Sequence, residues 1–275
     1  MGSTWSSDGK RVVSIVHHEY HAEQHKACAH ATYMACWYNT LLSFSSKDGA
    51  ASFAMDKPAV VAAAPFRQDV GQGRHRGFFS PSNIVADGAF KYFFASTTGW
   101  QGQPYGVCLF RSADPIDSAS WRAWDGKEFS IRYADPYSGE TAPARPCAII
   151  EPFLYPVSTF IRHRGDGQFV AVWMARKNDR HFPVDGFYYA TARDLRAWSE
   201  PKLLRAGPTI HDIPCDGRPL IAYPSLLDET AKGRNFDDAG DAPWLYYVKA
   251  ETKGCGTANR VLVRERMKLA RGGRR

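Results

Sequence analysis

Two Asp-Gly pairs, Asp87-Gly88 and Asp166-Gly167, each divide two short apolar segments, and this restricts the fold more than any other feature of the chain. The segments are 78–85 and 90–96 around the first pair, 156–163 and 169–176 around the second. Asp-Gly between apolar runs is a strong hairpin signal, because the turn demands positive φ and these residues tolerate it. Further strand-like runs occupy 11–20, 36–45, 107–112, 121–129, 186–191, 219–223, 244–250 and 260–269, and Ser46-Lys47-Asp48-Gly49 closes a turn after the second of these. Helical signal is confined to a turn or two within 18–36 and 226–232. Short strands at this spacing predict an all-β chain built as a sandwich, a barrel or a propeller.

Repetition chooses among them. An apolar strand, an Asp-Gly turn, an aromatic strand and a small-residue strand closing near Asp and Trp occur from Asn83 to Trp121 and again from Phe160 to Trp198. The two turns lie 79 residues apart, more than the roughly 40–50 residues of a propeller blade. Long insertions and four or five four-stranded blades accommodate that spacing.

Composition fits this reading. Aromatic residues make up 13%, Gly and Pro number 23 and 17, and no apolar run approaches a membrane span, for which about 18 residues are needed. A soluble, non-membrane chain is expected. The formal charge of +7 is local: residues 260–275 carry +6, leaving +1 for the other 259. A reader of phosphates spreads its Lys and Arg over a folded face, so no nucleic-acid partner is expected. Residues 270–275 read as a basic flexible tail on a single domain, 1–269. Six cysteines (Cys28, Cys36, Cys108, Cys147, Cys215 and Cys255) form an even set with no CxxC pair. This fits three disulfides in an exported protein, with Cys28 and Cys36 suited to a local loop. Met1–Trp5 has no signal-peptide core, so either a leader has been removed from a secreted or periplasmic protein, or the thiols are free and buried.

The segment 188–201, ending Ala192-Arg193-Asp194-Leu195-Arg196-Ala197-Trp198-Ser199-Glu200-Pro201, resembles the blade endings of five-bladed β-propeller glycosidases, the arabinanase/xylosidase and invertase-like families. Ser46-Lys47-Asp48-Gly49-Ala50-Ala51-Ser52-Phe53 is similar to the sialidase Asp-box, with Ala50 where Gly is usual. The resemblance implies a five-bladed β-propeller, a central funnel that takes carbohydrate, and a pair of carboxylates. Those carboxylates stand about 5–5.5 Å apart in retaining enzymes and about 6.5–9.5 Å apart in inverting ones.

On that resemblance, Glu151 in Ile150-Glu151-Pro152 is the expected general acid, in the partly buried setting at a strand end that raises a pKa. Glu19 and Asp212 are the candidate partner carboxylates. His18, Arg76, Asn83 and Tyr223 are expected to hold hydroxyls, and Trp100, Tyr155, Trp173 and Tyr223 to stack on sugar rings. Where the family's second blade carries Asp-Pro, this chain has Ser80-Pro81, and the first-blade Asp has no counterpart. Either a blade lies upstream or the site has changed, which supports a rival reading as a glycan-binding propeller without turnover. A third reading, a metal-dependent hydrolase, uses His17, His21 and His25. Their i, i+4, i+8 spacing would align three imidazoles on a helix. No cofactor is required by the main reading, a structural Ca²⁺ or Zn²⁺ stays open, and a monomer is expected.

Overall fold

The computed structural model describes residues 2–26, 28–30, 32–66, 71, 74–100, 102–138, 145–178 and 181–269. The tail at 270–275 lies outside them. The chain divides into two compact units, Met1–Ile150 and Glu151–Arg275.

In the first unit, β1 (Gly2–Trp5), β2 (Val12–His21), β3 (Trp37–Ser46) and β4 (Ala54–Ala63) run as an antiparallel meander. A second meander follows: β5 (Arg76–Phe79) and β6 (Val85–Asp87) pair with one edge of β7 (Phe90–Trp100), and β8 (Gln103–Ser112), then β9 (Arg122–Trp124) and β10 (Phe129–Ile131) continue from its other edge. A short parallel pairing, Tyr38 with Arg76 and Asn39 with Gly77, joins the two. Gly77 is required there: its φ is +115, and a Cβ would lie 2.0 Å from the Asn39 carbonyl oxygen. Apolar residues alternating along the strands build one core, with Val13, Ile15, Leu41, Phe78, Phe93, Phe110 and Trp121 buried. Phe93 and Phe110, opposite each other on β7 and β8, stack at 4.8 Å.

In the second unit, β11 (Val157–His163), β12 (Phe169–Ala175), β13 (Gly186–Ala192) and β14 (Lys202–Ala206) form a third antiparallel meander. The fourth comprises β15 (Leu220–Leu227), β17 (Trp244–Lys253) and β18 (Gly256–Arg266), while the two-residue β16 (Asp238–Ala239) pairs with β11. The all-β expectation is met. Among the described residues there are four meanders, where the resemblance implied five blades.

Sequence and structure differ at particular places. β4 was missed because Asp56, Lys57 and Pro58 interrupt its apolar pattern. Among the described residues it pairs only with β3, and a strand with a single neighbour tolerates Pro, which lacks an N–H. The expected strand 78–85 breaks between β5 and β6, at Ser80-Pro81. No helix forms at 226–232: β15 runs to Leu227, and the Asp228 carboxylate then accepts the Thr230 N–H at 2.8 Å. Among the described residues of 18–36, the only helical piece is the 3₁₀ turn Ala22–His25.

That Asp228 turn is one of many. Asp8, Asp114, Asp117, Asp125, Asp135, Asp166, Asp194 and Asp216 likewise accept the N–H two residues on, the Asx turn that favours Asp between strands. These carboxylates are committed to the backbone.

All six cysteines pair, as Cys28–Cys36, Cys108–Cys147 and Cys215–Cys255, so the free-thiol alternative is overturned. Disulfides persist in oxidising compartments, which is compatible with export. Cys215–Cys255 closes a span of 40 residues and ties the segment before β15 to the β17–β18 turn. Replacing both by Ser is expected to lower unfolding stability by about 2–4 kcal/mol. Denaturant titration reads this, and an unchanged midpoint would contradict it.

Candidate functional site

Alternation on β2 puts His17, Glu19 and His21 on one face and His18 and Tyr20 on the other. The register sets Leu41, Asn39 and Trp37 of β3 opposite the first three. Glu19 Oε1 lies 4.0 Å from His17 Nε2 and Glu19 Oε2 lies 3.8 Å from His21 Nε2. The Glu19 side chain is 49% exposed, while the flanking imidazoles are largely covered. A carboxylate is thereby presented to solvent between two histidines.

Aromatic rings wall this face. The Trp37 ring lies 4.6 Å from His21 and 5.1 Å from His75, the exposed Tyr33 reaches Trp37 at 5.3 Å, and Phe79 contacts both His75 and His17. Arg76, the first residue of β5, is half-buried, and its Nε has no hydrogen-bond partner. Burial holds the pKa of His17 below its usual value, partly offset by a hydrogen bond with Asn39 and the charge of Glu19. Burial, then the proximity of His17, lowers His18 and His75 as well.

These shifts have a consequence for stability. A histidine whose folded pKa is depressed favours the folded state above its unfolded pKa, about 6.5. That contribution is lost as pH falls from there through the folded value. Stability is therefore expected to decline below about pH 6.5, and less steeply in His17→Gln. Denaturant midpoints measured from neutral to mildly acidic pH check this. Parallel profiles for the two proteins would sink it.

The opposite face of β2 is structural. His18 Nδ1 bonds the Tyr137 hydroxyl at 2.9 Å, and Tyr20 is stacked between His25 and Phe66. His18 lies on this face and not beside Glu19, as the alternation of β2 places it. One expectation is corrected here. His25, in the 3₁₀ turn and stacked on Tyr20, does not share one with His17 and His21, because β2 is a strand and not the helix that would align them. Among the described residues, no three metal-binding side chains come together.

In the second unit, Glu151 lies exposed in a turn, and not in the partly buried strand end expected of it. Asp212 is also exposed and forms an ion pair with Arg176 at 3.4 Å. Beside it, the Tyr155 ring packs 4.9 Å from His211 and 5.7 Å from Phe182. His211 is pushed below its usual pKa by burial. Tyr223, 38% exposed with φ +56, stands at an irregularity of β15. Trp173 is fully buried among Phe153, Phe182 and Tyr188. In the first unit, Trp100 is buried against Phe78. Both tryptophans serve their cores and offer no face to a sugar. Asn83 is half-buried in the connection between β5 and β6, and Ser80 beside it is exposed with φ +49.

The sequence reading missed Glu23, Tyr33, Trp37, Asn39 and His75. Trp37 and Asn39 were recoverable, since they alternate on the strand that follows the histidine-rich segment. Tyr33 and His75 lie in connections with no periodicity to place them.

No protein-family model matches the sequence, and no curated protein matches it. Among solved structures, the chain is similar to the endo-arabinase from Bacteroides thetaiotaomicron, with a TM-score of 0.53 at 10% identity, over 96% of this chain and 74% of that one. It is also similar to a protein of unknown function from Dyadobacter fermentans, with a TM-score of 0.50 at 11% identity, over 98% of this chain and 53% of that one. The chain thus shares the fold of a glycoside hydrolase. Among the described residues, no helix is long and apolar enough to cross a membrane.

Proposed function

We propose that this is an exported, glycoside hydrolase-like protein that binds a carbohydrate at the Glu19 face, its four meanders serving as blades of a five-bladed β-propeller over 1–269. The observation that carries the reading is Glu19 itself, half-exposed, flanked by His17 and His21, and walled by Trp37, Tyr33 and Phe79. Sugar sites pair aromatic rings for the C–H faces with a few fixed polar groups for the hydroxyls. Hydrolysis adds a need for carboxylates: one protonates the leaving oxygen, while another takes a proton from the attacking water or attacks the anomeric carbon itself. Glu19 suits the base or nucleophile role. Glu151 is retained as the proposed acid on its sequence resemblance, with Asp212 as the alternative partner.

The fold similarity to an endo-arabinase supports arabinan and arabino-oligosaccharides as the first substrates to try, ahead of other plant and microbial glycans. A specific observation favours the second reading, glycan binding without turnover: Ser80, exposed where the resembled family has Asp, carries no charge. Hydrolysis of such a panel by wild type, Glu151→Gln and Asp212→Asn tests the proposal. Turnover lost with Glu151→Gln and binding retained supports hydrolysis with Glu151 as the acid. Saturable binding without turnover in any of the three leaves the binding reading, and neither binding nor turnover removes both.

A further inference from the structure

Resting on that reading of the Glu19 face, we infer that Glu23 is its positioning residue: the Glu23 carboxylate accepts the Nδ1–H of His21 and leaves Nε2 as the nitrogen facing Glu19 and the ligand.

The inference starts from three buried atoms. His21 Nδ1 and both Glu23 carboxylate oxygens are shielded from solvent and have no hydrogen-bond partner, yet Nδ1 and Oε1 lie 3.4 Å apart. A buried carboxylate without a donor is costly, and so is a buried ring nitrogen left unpaired. A turn of the ring with a closer approach of a few tenths of an ångström would satisfy Nδ1 and Oε1, and hydrogen bonds of this kind align and tighten when a ligand is bound.

The backbone keeps Glu23 in place. It stands in the first turn of Ala22–His25, whose end is closed by the Lys26 N–H on the Glu23 carbonyl, and the Ala22 N–H bonds the Cys36 carbonyl at 3.1 Å, beside the Cys28–Cys36 disulfide. On its other side the His21 ring meets Glu19 through Nε2 at 3.8 Å. Among the described residues, Tyr33 stacks on the ring, and His17 and His75 lie beyond Glu19 and Trp37.

The same order of groups occurs fully bonded elsewhere in the chain. His163 bonds Asp166 through Nδ1 and Asp241 through Nε2, each at 2.8 Å, with the Nδ1 partner covered and the Nε2 partner half-exposed. At His21 the covered acid is again on Nδ1, and the half-exposed acid again on Nε2. A carboxylate on Nδ1 fixes the tautomer and ring orientation of a histidine, and thereby decides which nitrogen is available to a ligand.

Ring ¹⁵N–¹H correlation spectra test this without any substrate. In wild type the neutral His21 ring is expected to carry its proton on Nδ1. Glu23→Gln, whose amide oxygen still accepts, should keep it there, and Glu23→Ala should move it to Nε2, the form an unconstrained imidazole prefers. A wild-type proton on Nε2, or an unchanged ring in a folded Glu23→Ala, overturns the inference. If Glu23→Ala does not fold, the wild-type and Glu23→Gln spectra still decide. On a sugar that is turned over, Glu23→Ala should lower kcat by about 10–100-fold at similar KM, as loss of a partner that orients a functional histidine does, with rescue in Glu23→Gln. Unchanged kcat would reduce Glu23 to a structural acid. Absence of turnover in wild type defeats the hydrolysis reading alone, since the spectra still report on Glu23.

Discussion

Glu19→Gln is expected to lower turnover of a responsive arabinan or arabino-oligosaccharide by about 10²–10⁴-fold, the range for loss of a positioned acid or base. Sugar affinity should stay within a few-fold. Gln preserves the shape of the side chain and its place between His17 and His21, but removes the charge and the basic oxygen. With half of the side chain in solvent, the ion pairs it loses contribute at most about 1 kcal/mol, so the folded protein should persist. Parallel kinetics and thermal denaturation separate these effects. Wild-type turnover in Glu19→Gln would mean that the carboxylate only shapes the face.

Trp173→Ala is expected to destabilise the second unit by about 3–5 kcal/mol, the cost of deleting a large buried aromatic. The ring is fully enclosed by Phe153, Phe182 and Tyr188, and Ala would leave a cavity that β12, paired on both sides, cannot close. Trp37→Ala should behave in the opposite way, weakening sugar binding with a smaller loss of stability, because Trp37 is only half-buried in the wall beside Glu19. Denaturant unfolding and calorimetric titration of both variants give a double contrast. Stability unaffected by Trp173→Ala, or sugar binding lost with no change in stability, would return Trp173 to the role of a sugar platform.

Much of the fold was legible because alternation and turn chemistry act locally. The Gly88 turn, the strand that follows it and the Asp-based turns are each specified within a few residues. The same alternation correctly placed His17, Glu19 and His21 on one face. What was not legible depends on partners distant in sequence. Burial of Trp100 and Trp173 is decided by rings from other segments, so an aromatic near a strand end could not be sorted into core or surface. Glu151 next to Pro152 reads as the end of an apolar strand, yet the chain turns there and leaves the acid exposed. Trp37 and Asn39 enter the site through pairing with β2, which only the register reveals.

The central claim is that the Glu19 face binds carbohydrate. Titrating arabino-oligosaccharides into ¹⁵N-labelled protein, with the ring and backbone signals of the first unit assigned, tests it most directly. Saturable shifts centred on His17, Glu19, His21, Trp37 and His75, and abolished in Trp37→Ala, are the predicted result. Saturable shifts confined to other residues, or none with arabinan-derived or any other glycan of the panel, would contradict it.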